Sequence, residues 1–409
     1  MPAALRVLHA IPSISPQRGG PSVGIRNITA ALRRRGIEVD VLTTDDDGPG
    51  QRRAVAPGAV ELLNGQQVRY FPRQTVRYSI SLPLLPWLSR HVRDYDLVHT
   101  HGLFSFVPLA AAWHARAAGV PYIMRPAGVL DSWGMRNRSA RVKSASVKLL
   151  EGPLLRGAAA VHFMTDLERE RAAHLGLGLR PMVVPLGFDF ATDPAAGPMD
   201  EPGSSVDELR AGGRPVVLYL SRLHPVKRVD LLLRACAALP QRADVVLAIA
   251  GEGERGFVDS LKALAKELGI GGSVRWLGFA AGARKRRLLR AATVFALPSA
   301  SENFGVAVIE AMSAGVPVIV TDAVGIAQLV RTAGAGVVTD GSLDSLTAAL
   351  ERLLADASLR TAMSAAGRIA VERELSLDAF GTRLESVYRS VVQRAAPGAP
   401  ERCHDGLPP

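Results

Sequence analysis

Cysteine is scarce in this chain. Cys236, inside an apolar stretch, and Cys403, in a polar tail, are the only two among 409 residues. That excludes a disulfide framework and leaves no cluster with metal-ligand spacing. Aromatic residues are also few, at 5%, which argues against a surface that stacks nucleic-acid bases. No run approaches the roughly eighteen consecutive apolar residues of a membrane span. The stretch Met1 to Ile11 lacks a charged region followed by a long apolar region and a cleavage site, so a cytoplasmic protein is expected. Acidic residues are in deficit, 38 against 49 basic, for a net charge of +11. Such a balance invites nucleic acid or a membrane surface as partner. The excess is arginine in an alanine-rich chain, as a GC-rich coding sequence would spread everywhere, and no zinc-finger or RNP-type signature accompanies it. No nucleic-acid partner is expected; an anionic membrane surface stays open.

What is present is a large globular chain, 48% apolar and 21% charged. Its length suits two cores better than one. The stretch from Asp193 to Gly213, rich in Pro, Gly, Ala and acid, reads as a linker. It separates a first domain over 1–195 from a second over 214–375, followed by a helix over 376–394 and a tail over 395–409 that reads as disordered. Buried strands alternate with helical patterns in both halves, the signature of α/β architecture.

The most informative stretch runs from Ala296 to Asp322. Apolar strand residues lead into a small-residue loop and then into Val306, Val308, Ile309 and Met312 at helical spacing. Gly315 and Pro317 stop that helix and release Val318-Ile319-Val320, a second buried strand, which completes a βαβ unit. Glu302 lies in the loop after the first strand, where open α/β sheets bind ligands, and Glu310 follows eight residues later. Eight residues is a little over two helical turns, so both carboxylates can face one side. Asn303, Phe304 and Gly305 bring backbone N–H groups to the helix N-terminus, a setting that suits an anion.

Glu302-Asn303-Phe304-Gly305, then Glu310 and the Ala314-Gly315-Val316-Pro317-Val318 stop, resemble the E-x7-E signature of retaining glycosyltransferases of family 4. The resemblance covers nearly the whole chain, specifically in the second half and loosely in the first. It implies the GT-B fold, two Rossmann-like doubly wound domains facing a cleft. Arg222 and Lys227, between a strand and the helix starting at Val229, form a basic pair able to neutralise a diphosphate. In the family the matching residues hold the donor phosphates and stabilise the leaving group. Glu302 would then meet the transferred sugar and Glu310 the ribose, while Gly251 and Leu277 would lie near the nucleotide base. Gly251-Glu252-Gly253-Glu254-Arg255-Gly256 matches the dinucleotide fingerprint in form, yet it lies inside its domain and lacks the acid after the next strand.

The first half offers weaker candidates. Gly19 and Gly20, between strand and helix, either let the backbone approach a phosphate or make a plain tight turn. His101 ends a buried strand where the family often presents a histidine to the cleft; a strand-end histidine satisfied by backbone is the alternative. Many relatives carry a histidine just before Gly128, where this chain has Ala127. Asp94-Tyr95-Asp96 precedes its strand and reads as a turn and cap, so no metal is expected. From Trp133 to Arg156 basic and apolar residues interleave, either on an anionic membrane or on a solvated helix face. Thr165 and Glu168 form a capping box.

The resemblance therefore implies a metal-independent, cofactor-free retaining hexosyltransferase. Its donor would be a nucleoside diphosphate sugar and its acceptor a saccharide or lipid-linked hydroxyl, in cell-surface polysaccharide or glycolipid biosynthesis, on the inner face of the plasma membrane. A GT-B nucleotide-sugar epimerase, or a noncatalytic nucleotide-sugar-binding protein, are the competing readings.

Overall fold

The computed structural model describes residues 4–18, 20–63, 65–130, 140–190, 209, 213–240 and 244–395. The chain forms two compact units, 1–188 with 375–409, and 189–374. The expected linker and tail fall mostly outside the described residues.

The first unit is built on eight strands: β1 (Arg6–Ala10), β2 (Glu38–Thr44), β3 (Ala59–Leu63), β4 (Gln66–Phe71), β5 (Leu97–His101), β6 (Tyr122–Arg125), β7 (Ala160–Phe163) and β8 (Pro181–Val183). They lie in the order β3-β4-β2-β1-β5-β6-β7-β8, parallel except for the β3–β4 hairpin. The helices are α1 (Gly20–Arg34), α2 (Leu84–His91), α3 (Phe106–Ala118), α4 (Ala140–Ser146), α5 (Gly152–Gly157) and α6 (Asp166–Ala173), with a π turn over Val147–Glu151. Parallel strands covered on both faces read as near-continuous buried runs, and β5 and β6 are buried at every position. Because β2 and β5 flank β1, the connections reverse direction at β1/β5, the switch point where open sheets form a crevice. Cys236, in the second unit, is buried, and burial pushes its thiol up to about 12.

At the expected capping box, Thr165 Oγ1 accepts the Glu168 N–H at 3.1 Å, and the Glu168 carboxylate accepts the N–H groups of Met164, 2.7 Å away, and Gly128, 2.6 Å away. It thereby holds the loop in which Ala127 takes φ +56° and Gly128 φ +84°.

The second unit has six parallel strands: β9 (Val216–Leu220), β10 (Val246–Ala250), β11 (Val274–Gly278), β12 (Val294–Leu297), β13 (Val318–Thr321) and β14 (Gly336–Thr339). Their order is β11-β10-β9-β12-β13-β14, which places the switch point between β9 and β12. The helices are α7 (Val229–Ala238), α8 (Arg255–Glu267), α9 (Gly282–Ala291), α10 (Val306–Ser313), α11 (Ala327–Ala333), α12 (Leu343–Ala355) and α13 (Ala357–Leu375).

The last helix, α14 (Leu377–Ala395), belongs to the first unit and packs on α1. Phe380, Leu384, Tyr388 and Val391 recur at helical spacing and are buried. Gly381 permits the approach, since a Cβ there would sit 3.1 Å from the Ala31 carbonyl. Truncating the fully buried Phe380 to Ala would cost about 3–5 kcal/mol.

Candidate active site

Two residues from either side of the second unit's switch point meet. Lys227 sits in the turn Pro225–Lys227 that follows β9, and Glu302 follows β12. Their side chains form an ion pair, with Lys227 only 7% exposed. The turn is fixed locally: His224 accepts the Val226 N–H, Arg228 closes it at φ +53°, and the Val226 carbonyl accepts the Ala300 N–H at 2.8 Å. A nearly buried ammonium is retained only where a carboxylate or another anion pairs with it, so this point is built to hold charge. Arg222 leaves the same strand with an exposed side chain, and its carbonyl accepts the Tyr219 hydroxyl at 2.9 Å. Burial, then the Glu302 carboxylate, keep that phenol above its ordinary value.

The Glu302–Gly305 loop is stapled to the segment after β13. Glu302 N–H donates to the Ala323 carbonyl, Gly325 N–H to Glu302 and Ile326 N–H to Phe304, all within 2.9–3.1 Å. Gly325 allows this closeness, because a Cβ there would fall 2.1 Å from the Asn303 carbonyl. Gly305 caps α10 at φ +97°. Glu310, about one turn into α10, is ion-paired with Lys285 of α9. Lys285 carries no site signal of its own in the sequence. Its neighbour Arg284 donates to the carbonyls of Leu277, at 2.6 Å, and Phe279, at 2.9 Å, and so fixes the turn after β11.

Gly251 and Gly253 serve this site through packing. A Cβ on Gly251, at φ +152°, would lie 1.9 Å from the Ser221 carbonyl, and one on Gly253 would lie 2.1 Å from that of Leu223. Leu223 N–H donates to the Glu252 carbonyl at 2.7 Å, and Gly251 N–H to Gly278 at 2.7 Å. The glycine loop thus supports the Arg222 segment on one side and the Leu277–Phe279 turn on the other.

In the first unit, Gly20 is the first residue of α1 and so lies within the helix instead of in the turn before it, and Gly19 lies outside the described residues. His101 is 2% exposed, and its Nε2 lies 2.8 Å from His9 Nδ1. Its neighbours His9, His99 and His162, with Tyr388, had not been anticipated; histidine at alternate positions of a buried strand, as in β5, was the signal. Asp96 accepts the Arg6 backbone N–H at 2.8 Å, and Asp94 contacts His91 at 3.0 Å. Of the basic segment, residues 131–139, with Arg136 and Arg138, lie outside the described residues. The described part leaves Leu149 and Leu150 exposed at 70% and 48%, with Trp113 exposed at 59%, along one apolar groove.

The family described as Glycosyl transferases group 1 matches residues 202–370, and Glycosyl transferase 4-like domain matches 19–187. A D-inositol 3-phosphate glycosyltransferase of Kineococcus radiotolerans is 30% identical over 445 aligned positions, covering 96% of each chain. Another, from Thermobifida fusca, is 30% identical and covers 95% of this chain and 93% of its own. Among solved structures, Anabaena Alr3699/HepE in complex with UDP superposes with a TM-score of 0.71 at 21% identity, covering 94% of this chain and 100% of that one. Sucrose-phosphate synthase from Thermosynechococcus elongatus gives 0.68 at 20% identity, over 95% and 99%. Two α/β units of this kind make up the GT-B fold. The chain belongs to glycosyltransferase family 4.

Proposed function

We propose that this glycosyltransferase is a retaining hexosyltransferase that uses a nucleoside diphosphate sugar and a hydroxyl acceptor. The observation that carries the reading is the Lys227–Glu302 pair at the β9/β12 switch point, with Arg222 exposed beside it. A diphosphate leaving group needs positive charge where its negative charge develops, and Lys227 and Arg222 supply it without a metal. The acceptor hydroxyl attacks on the face from which the diphosphate departs and passes its proton to the departing phosphate. Glu302 faces the sugar and stabilises charge at the anomeric carbon. Glu310 accepts the ribose hydroxyls, and the N–H groups at Asn303, Phe304 and Gly305 meet the phosphates. Gly251 and Leu277 flank the base. In the first unit His101, Gly19 and Gly20 are the candidates for polar contact with substrate.

The inositol-phosphate relatives support a polar, hydroxyl-bearing acceptor, and UDP in the Alr3699/HepE complex supports a uridine donor. Exposed Leu149 and Leu150 beside Lys148 support peripheral docking on an anionic membrane, where a lipid-linked or cell-surface glycan acceptor would be met. No helix among the described residues is long and apolar enough to cross a membrane.

A thermal-shift screen with UDP, GDP, ADP and their sugars tests the reading. The correct donor at a hundred times its Kd stabilises the protein by about 2.7 kcal/mol. Its turnover must depend on an added acceptor, and conversion of the donor without one would show an epimerase instead.

A further inference from the structure

One face of the first unit's sheet carries imidazoles where a core would otherwise be aliphatic. His9 on β1, His99 and His101 on β5, and His162 on β7 are all 2% exposed or less, and the fully buried Tyr388 of α14 joins them. Five contacts form a line. His162 Nε2 lies 2.7 Å from the Val184 carbonyl and His162 Nδ1 lies 3.4 Å from His99 Nε2. His99 Nδ1 lies 2.6 Å from the Tyr388 hydroxyl, which is 3.4 Å from His9 Nε2. His9 Nδ1 lies 2.8 Å from His101 Nε2. At the end stands His101 Nδ1, buried and without a hydrogen-bond partner among the described residues.

The line has one direction. A carbonyl only accepts, so His162 carries its proton on Nε2, and a neutral imidazole then offers a lone pair at Nδ1. His99 must donate to it from Nε2, which leaves His99 Nδ1 to accept the Tyr388 proton. The Tyr388 oxygen accepts from His9 Nε2, and His9 Nδ1 accepts from His101 Nε2. No link opposes another, and the sequence ends on a bare nitrogen. The rings stay neutral because burial disfavours protonation, and behind it stand the buried Arg125 guanidinium for His9 and His162 and chiefly the neighbouring imidazoles for His99 and His101; His9 and His162 are lowered to about 3. Arg125 is the register partner of His101, one strand over; burial lowers its pKa to about 10, and the Glu168 charge acts against that.

We propose that Tyr388, His9, His99 and His162 are positioning residues, a directed hydrogen-bond relay that fixes His101 as its Nε2–H tautomer and keeps its Nδ1 as an acceptor at the C-terminal end of β5. The relay ties α14 to that point of the sheet, so the last helix of the chain sets a proton position on a strand far from it in sequence. What Nδ1 accepts from, a ligand hydroxyl, rests on the transferase reading; the tautomer order does not. The same cluster brings ligand atoms of His9, His99 and His101 within 4.8 Å of one another. A divalent ion there would have to break the His9–His101 bond beside a guanidinium, and the relay reading predicts that none binds.

Long-range proton–nitrogen correlation spectra of the full chain, labelled with nitrogen-15 histidine, test this. All four rings should show the neutral Nε2–H pattern at pH 7, with no change on adding zinc. Tyr388→Phe should leave His101 in mixed tautomers and lower kcat about tenfold, the worth of one hydrogen bond, with donor KM unchanged. If that variant does not fold, His162→Ala removes the anchored end of the relay and should mix the tautomers in the same way. A proton on His101 Nδ1 in the unmutated protein, zinc-induced shifts, or an unchanged His101 pattern in the variants overturns the relay. Absence of transfer activity would overturn the transferase reading and leave the spectra to decide the relay.

Discussion

Lys227 and Glu302, 75 residues apart in sequence, close an ion pair across the β9/β12 switch point of the second unit. Lys227→Ala removes the nearly buried cation and leaves Glu302 without its partner. The loss of transition-state stabilisation should be about 2–4 kcal/mol, a fall of roughly thirty- to a thousandfold in kcat/KM. Steady-state kinetics with saturating acceptor measure it, and an unchanged kcat/KM would remove Lys227 from the mechanism.

Gly251→Ala should damage the donor site without touching a charged residue. Its Cβ would meet the Ser221 carbonyl at 1.9 Å and displace the segment bearing Arg222. Strain at a left-handed position with a backbone clash costs on the order of 1–3 kcal/mol. Gly256→Ala is the control, because nothing lies within 4 Å of a Cβ there and the position is in α8. Chemical denaturation should show the first variant destabilised and the second equal to or more stable than the parent.

The buried imidazoles make stability fall in mild acid. His9 and His162 titrate near 3 in the folded protein against 6.5 when unfolded, and His99 and His101 are lowered as well. A depressed folded value means that the unfolded chain binds the extra protons, so stability is intact above pH 6.5 and lost as pH falls from there toward 3. One pH unit below 6.5, His9 and His162 each remove on the order of 1 kcal/mol, and His99 and His101 act in the same direction. Urea melts at pH 7.5 and 5.5 check this, and a flat profile would contradict the burial of neutral rings.

The second unit's site was legible because its parts are local. Glu302, Asn303, Phe304, Gly305 and Glu310 share one strand–loop–helix, although only Glu310 lies in α10; Glu302 stands in the loop four residues before that helix begins, so the expected two helical turns between the carboxylates are not what relates them. Lys227 and Arg222 could be read for the same reason, as residues of one strand-to-helix turn. Lys285 could not, since it reaches Glu310 only after the sheet has placed α9 beside α10. Nor could Tyr388, which meets His9 across 379 residues. The β3–β4 hairpin has a local signal in Asn64-Gly65, with Gly65 at φ +77°. Helices α2 and α13 were also missed: α2 is short, and the long α13 carries little more than Met363, Ala370, Val371 and Leu375 as a buried stripe.

The two glutamates give the most direct test of the proposed chemistry. Calorimetry with the bare nucleoside diphosphate, beside turnover assays, should separate them. A charged hydrogen bond from ribose is worth roughly 1.5–3 kcal/mol, so Glu310→Ala should weaken the nucleotide about ten- to a hundredfold. Glu302→Ala should bind the nucleotide nearly as the parent does and lose kcat, because its contacts count only as charge develops at the anomeric carbon. Loss of the nucleotide in Glu302→Ala with retention in Glu310→Ala, or undiminished kcat in Glu302→Ala, would contradict this account.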